Sequence, residues 1–192
     1  EPLVRKDFLE IIMYLRENFD GTIGLMTNAT LLNRKNVDVI VSCVNNISIS
    51  LDGANEETVS LIRGANVFKQ VLDAIDLLHE KEFKDISISM VVTADNDLYV
   101  DEFFELCKKY ECKPMLRALS LSGQAEKNKE LLTKQQLGKQ RINTHKGKEK
   151  AKPLKKDFYA CSCDAGATTL TVESNGEIFP CNLFVEPQYC LG

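Results

Sequence analysis

The sequence predicts an α/β chain in which parallel strands alternate with helices over most of the length, followed by a small antiparallel hairpin. Three observations carry this. Short β-like runs such as Ile47-Ser48-Ile49-Ser50-Leu51 are separated by segments whose apolar residues recur at helical spacing. Near the end, Thr169 to Val172 and Glu177 to Phe179 flank Ser174-Asn175-Gly176, a turn signal. The 192 residues are 44% hydrophobic with a net charge of −4, a composition able to bury a substantial core.

The elements follow in order. Between Asp7 and Phe19, apolar residues at Phe8, Ile11, Ile12, Leu15 and Phe19 predict a helix that Gly21 ends. Thr22 to Met26 reads as a strand, Leu31 to Cys43 as a helix, and Ile47 to Leu51 as a strand broken by Asp52-Gly53. Glu56 to Ile62 and Val67 to Lys81 are patterned as helices, Ile86 to Val92 as a strand, Val100 to Tyr110 as a helix and Lys113 to Leu119 as a strand. This rhythm implies βαβ units with right-handed crossovers, which place every strand-to-helix loop at one edge of the sheet. Ligands bind at that edge. Thr27-Asn28, Ser50 to Gly53, Thr93 to Asn96 and Ser120 to Gly123 fall there.

Several classes are disfavoured. No apolar run reaches membrane-spanning length and no charged-then-apolar leader opens the chain, so the expectation is a cytoplasmic protein without a membrane partner. Mild acidity argues against a nucleic-acid role. Seven cysteines, an odd number without a regular framework, fit a reducing compartment better than a disulfide scaffold. From Lys127 to Lys156 the chain carries eleven Lys or Arg; this tract is a solvated connector, or a salt-sensitive guide for an acidic peptide. His79 and His145 stand apart from the motifs and read as surface or partly packed histidines.

The hairpin would bring Cys163 and Cys181 together, with Pro180 stopping the second strand. Three readings are open for that pair: a disulfide, a thiolate metal site of the kind that holds iron-sulfur clusters, or two unpaired thiols. Cys161 shares a strand face with Cys163 if the segment is extended, and is a ligand or a spare thiol. Cys43, Cys107 and Cys112 lie in helix-patterned segments or at their ends and read as packing residues.

Five motifs in register resemble those of one family. Cys163-Asp164-Ala165-Gly166, followed by Gly176 and by Cys181 in a G-x4-C, is similar to the start of the auxiliary-cluster region of SPASM or twitch proteins, which belong to the radical S-adenosylmethionine enzymes. Glu1-Pro2-Leu3 resembles the tail of that family's G-G-E-P motif. Thr27-Asn28-Ala29-Thr30-Leu31-Leu32 resembles T-N-G-T-L-L with Ala29 in place of Gly, and Ser50-Leu51-Asp52-Gly53 with Ile62-Arg63-Gly64 resembles the S-L-D-G and I-R-G pair. Ser122-Gly123-Gln124-Ala125 is similar to S-G-R-A, with Gln124 in place of Arg.

The resemblance implies a partial (β/α)6 TIM-like barrel over residues 1–125, a basic helical linker over 126–157, and the start of a SPASM/twitch region over 158–192. It implies S-adenosylmethionine and 4Fe-4S clusters as cofactors. In this reading Glu1 holds the methionyl amine, and Arg63 and Ser50 hold the methionyl carboxylate. Asp52 accepts from a ribose hydroxyl or caps the following helix, and Thr27 and Asn28 line the same edge or only end a strand. Cys163, Cys181, Cys161 and Cys190 are the candidate ligands of an auxiliary cluster.

The family's catalytic C-x3-C-x2-C triplet is missing from these seven cysteines, as expected of a chain cut just before Glu1 and inactive alone. The implied activity is reductive cleavage of S-adenosylmethionine to a 5′-deoxyadenosyl radical that modifies a peptide or protein side chain, fed by a flavodoxin or ferredoxin. A thioether or carbon crosslink in a ribosomally made peptide is the expected outcome. Formylglycine formation in a sulfatase is the alternative, weakened by Asn182, which stands where sulfatase-maturing relatives commonly have Asp. A rival of another class is a non-enzymatic α/β module with zinc at Cys161, Cys163 and Cys181, although C-x-C is not the usual zinc spacing.

Overall fold

In the computed structural model, described for residues 1–93, 96–118, 165–182 and 184–192, the chain divides into two units, residues 1–148 and 149–192. The first is an α/β fold around a sheet of four parallel strands: β1 (Gly24–Thr27), β2 (Asn46–Ser50), β3 (Ile86–Val92) and β4 (Lys113–Ala118). Their order is sequential, β1-β2-β3-β4. A doubly wound sheet reverses its order at a switch point; a sequential one curls toward a barrel.

Alternation in the strands decides which face the helices cover. On β2 and β3, Ile47, Ile49, Ile86, Ile88 and Met90 are fully buried in one cluster with residues of all five α-helices of this unit, α3 contributing Val59. Those helices are α1 (Phe8–Asn18), α2 (Val37–Cys43), α3 (Glu56–Arg63), α4 (Val67–Glu80) and α5 (Val100–Lys109). From α4 come Val71, Ala74, Ile75, Leu77 and Leu78, at the spacing its sequence predicts. From α5 come Val100, Phe103 and Cys107. The other face carries Ser48, Ser50, Ser87 and Ser89.

The predicted strand at Ile86 to Val92 is found with those limits, and the other strands and helices lie close to their expected ranges. The helix expected over Leu31 to Cys43 is the exception, since α2 begins only at Val37. Asparagine side chains compete for the backbone before it: Asn28 Oδ1 accepts from Thr30 N, Asn33 Oδ1 from Lys35 N, and Asn36 Oδ1 from Asn33 N. Such local bonds favour turns over helix. Ala29, one residue into this stretch, sits at φ 59°, the left-handed region where glycine is at ease.

The second unit contains the predicted hairpin, as β5 (Thr171–Val172) and β6 (Ile178–Phe179) paired antiparallel. Gly176 takes φ 93° in the turn and donates to Glu173 O at 2.9 Å, while Asn175 Oδ1 accepts from Glu177 N at 3.0 Å. Leu191 N donates to Ile178 O at 2.8 Å, laying the last residues along β6. Gly166 N donates to Pro180 O at 3.0 Å. Phe179 is buried, and Phe184 meets Tyr189 edge to face at 4.9 Å between ring centres.

Candidate active site at the carboxyl edge of the sheet

Because all four strands run the same way, the loops after β1, β2 and β3 leave from one edge. Two polar clusters form there. In the first, the Glu1 carboxylate accepts from Thr27 Oγ1 at 2.7 Å and Asn28 N at 2.6 Å, and from Leu3 N at 3.2 Å. Thr27 Oγ1 in turn accepts from Ala29 N at 2.9 Å. Glu1, Thr27 and Asn28, separated by more than two dozen residues in sequence, are thus one assembly. Glu1 remains exposed, and three donors leave part of its acceptor capacity open.

The second cluster joins the loops after β2 and β3. Asp52 is 5% exposed, with Oδ1 accepting from Val91 N at 2.8 Å and Oδ2 receiving Arg63 Nε at 2.8 Å and Nη2 at 2.7 Å. Arg63 comes from the last turn of α3 and reaches back to the loop that precedes it. Asp52 does not cap α3. That role belongs to Asn55, whose side chain accepts from Thr58 N while Thr58 Oγ1 accepts from Asn55 N, a reciprocal capping box. Gly53 lies under this box: a Cβ there would overlap the Thr58 hydroxyl and stand 3.0 Å from the Thr58 carbonyl carbon, so the small residue after Asp52 is a packing requirement.

Asn96, 1% exposed, lies in the Thr93 to Asn96 segment that the sequence places at this edge without giving it a role, and it ties the edge together. Its Nδ2 donates to Asp52 O at 3.1 Å and Val91 O at 2.9 Å, and its Oδ1 accepts from Thr93 N at 2.7 Å. The available signal was a polar residue three after Thr93, at a strand end. Ser50, half-buried at the end of β2, has no hydrogen-bond partner for its hydroxyl among the described residues. Arg63 likewise keeps Nη1 uncommitted there.

The sulfur candidates divide. Cys161 and Cys163, the basic tract and Ser120 to Gly123 lie outside the described residues. Cys181 is half-buried just after β6, and Cys190 is exposed, with Sγ 3.6 Å from Gly192 O. Among the described residues, no three His, Cys, Asp or Glu side chains converge as a metal site. Cys107 and Cys112 are buried, and burial, with the neighbouring Cys112, pushes the Cys107 thiol up to about 12. Burial and Glu111 push Cys112 up to about 11. Both are neutral packing thiols at ordinary pH, as their sequence context suggests.

Comparison with known proteins places this geometry in a family. The family model described as the radical SAM superfamily matches residues 1–107. Mycofactocin maturase MftC of Mycolicibacterium smegmatis is 32% identical over 123 residues, covering 64% of this chain and 31% of that protein. The probable GTP 3',8-cyclase of Thermoplasma volcanium is 25% identical over 133 residues, covering 69% of this chain and 41% of that protein. The chain therefore spans about a third of the length of the curated maturase and about two fifths of the cyclase.

Among solved structures, Streptococcus suis SuiB bound to S-adenosylmethionine superposes with a TM-score of 0.70 at 17% identity, over 97% of this chain and 48% of that one. SuiB bound to precursor peptide SuiA gives 0.68 at 16% identity, over 94% and 47%. At such identity the likeness concerns the fold, and it agrees with a partial TIM-like barrel. A sequentially ordered parallel sheet, polar loops gathered at its carboxyl edge and a family match over more than half of the sequence lead to one assignment: the chain belongs to the radical SAM superfamily.

Proposed function

We propose that this chain is the cofactor- and substrate-binding portion of a radical SAM enzyme that modifies a side chain in a ribosomally made peptide, by a thioether or carbon crosslink. The observation that carries the reading is the gathering of Glu1, Thr27, Asn28, Ser50, Asp52 and Arg63 at one sheet edge. The mycofactocin maturase and the peptide-bound SuiB among the similar proteins favour a peptide over a nucleotide substrate.

The residues fit the polar end of S-adenosylmethionine. The uncommitted Ser50 hydroxyl and Arg63 Nη1 are donors for the methionyl carboxylate, and Glu1 has acceptor capacity for the ammonium. Asp52 acts through Arg63: its buried carboxylate fixes the guanidinium plane, so the free edge of the fork is presented in one orientation. Asn96 holds Asp52 in turn.

When bound beside a reduced 4Fe-4S cluster, the cofactor supplies a 5′-deoxyadenosyl radical that removes a hydrogen atom from the substrate. The cysteines of this chain provide no C-x3-C-x2-C triplet for that cluster. For an auxiliary cluster we assign Cys163 and Cys181, with Cys161 and Cys190 as further ligands; the hairpin turn at Gly176 and the Gly166 to Pro180 bond support it by bringing the segment after Cys163 beside the one that leads into Cys181. The electron donor in this reading is a flavodoxin or ferredoxin.

The test uses the full-length protein with its clusters in place. Arg63→Lys keeps the charge and the Asp52 partner but removes the fork, and S-adenosylmethionine binding measured by calorimetry should weaken about tenfold, on the order of 1.4 kcal/mol, with iron content unchanged. Ser50→Ala should weaken it less. Unchanged affinity in both variants would refute the assignment.

A further inference from the structure

The hydrogen-bond ladder between β2 and β3 ends at the carboxyl edge on side chains. Ile47 N donates to Asp85 O at 3.0 Å and Leu51 N to Ser89 O at 2.9 Å, in the even rhythm of a parallel pair. Two residues beyond Ser89, Val91 N goes to a carboxylate, Asp52 Oδ1, at 2.8 Å. Two carbonyls stand at the strand ends, Asp52 O and Val91 O, and Asn96 Nδ2 donates to both, at 3.1 and 2.9 Å. Asn96 Oδ1 accepts from Thr93 N at 2.7 Å, so both ends of this buried amide are committed to backbone groups.

Asp52 is thereby held at its carbonyl and at its carboxylate. The carboxylate divides its oxygens: Oδ1 serves Val91 N, and Oδ2 takes both Nε and Nη2 of Arg63, at 2.8 and 2.7 Å. A rotation of the Asp52 side chain would break both sets at once. Because the guanidinium is planar and rigid, fixing Nε and Nη2 also fixes where Nη1 points. The other polar cluster of this edge is separate. Glu1, Thr27 and Asn28 are bonded to one another, and among the described residues no hydrogen bond links them to Asn96.

We infer that Asn96 is a positioning residue for the methionyl carboxylate of the cofactor. It acts without touching the ligand: it fixes the Asp52 backbone and, through the Asp52 carboxylate, the edge of Arg63 that receives the methionyl carboxylate. The inference rests on the S-adenosylmethionine reading of this edge, and it brings a residue of the loop after β3 into a contact made by the end of α3. Loss of Asn96 therefore impairs recognition of the carboxylate and spares recognition of the ammonium at Glu1. A residue that only stabilised the fold would not distinguish the two ends of the methionyl group.

The test measures by calorimetry, on the full-length, cluster-containing protein, the affinity for S-adenosylmethionine and for its decarboxylated analogue, which keeps the amine and the sulfonium. Asn96→Ala should weaken S-adenosylmethionine about fivefold and the analogue less than about twofold, a difference on the scale of one misplaced hydrogen bond. Asn96→Asp keeps the side-chain size and the bond from Thr93 N but loses the donor to both carbonyls, and it should show the same selectivity; it decides the question if Asn96→Ala does not fold and load its clusters. Adding Asn96→Ala to Arg63→Lys should weaken S-adenosylmethionine no further, because the two residues act along one path. Equal losses for the two ligands, no loss for S-adenosylmethionine, or a further loss in the double variant would each overturn the proposal. If Arg63→Lys by itself leaves the affinity unchanged, the carboxylate reading of the site falls and this inference with it; if Arg63→Lys weakens binding and the Asn96 variants do not, only the role of Asn96 falls.

Discussion

The two faces of the sheet are built from the same strands with the same alternation, yet they have opposite fates. One face, through Ile47, Ile49, Ile86 and Ile88, is fully buried against helices. The other, through Ser48, Ser50, Ser87 and Ser89, has small hydroxyls with almost no protein partners among the described residues. Ser48, Ser87 and Ser89 are nonetheless buried, so the two faces differ in chemistry rather than in whether they are covered.

The largest expected effect separates the faces by stability. Ile88→Ala removes a fully buried side chain and should cost about 3 to 4 kcal/mol in denaturant unfolding, whereas Ser87→Ala, its neighbour on the opposite face, should cost less than about 0.5 kcal/mol. Comparable losses from both would erase the distinction. A comparable effect tests the helix side by pH. The thiols of Cys107 and Cys112 are raised by burial from 9.0 to about 12 and about 11, so the native state keeps its protons where the unfolded chain loses them. Their contribution is fully present below pH 9 and is lost as pH rises toward 11 to 12, by about 1.4 kcal/mol per thiol per unit. Stability flat from pH 8.5 to 10.5 would show that these thiols are not shielded.

Much of the architecture was legible because it is local. Alternation gave β3 its limits from Ile86 to Val92, and the Asn175-Gly176 pair gave the hairpin its turn. The start of α2 was not legible from apolar spacing, because Asn33 and Asn36 hold the preceding stretch in turns through side-chain bonds that periodicity does not register. At the carboxyl edge, the motifs located Asp52 and Arg63 but treated them as separate ligand contacts. Their mutual pairing depends on the capped path of α3 from Asn55 to Gly64. Asn96 was placed at the edge, but its role was not legible, because its partners are backbone groups of two loops, a relation no single segment reveals. The serines were visible as an Ile-Ser alternation, but only the pairing of Ser48 with Ser87 and Ser50 with Ser89 shows that they form one surface.

Hydrogen exchange on the full-length, cluster-containing protein, with and without S-adenosylmethionine, probes the carboxyl edge most directly. The amides of Asn28 and Ala29, of Asp52 and Gly53, and of Thr93 and Asn96 should slow together when the cofactor is added, while those of Asn45, Asp85 and Cys112 at the opposite edge stay unchanged. Protection confined to the opposite edge, or none at the three loops, would contradict the account.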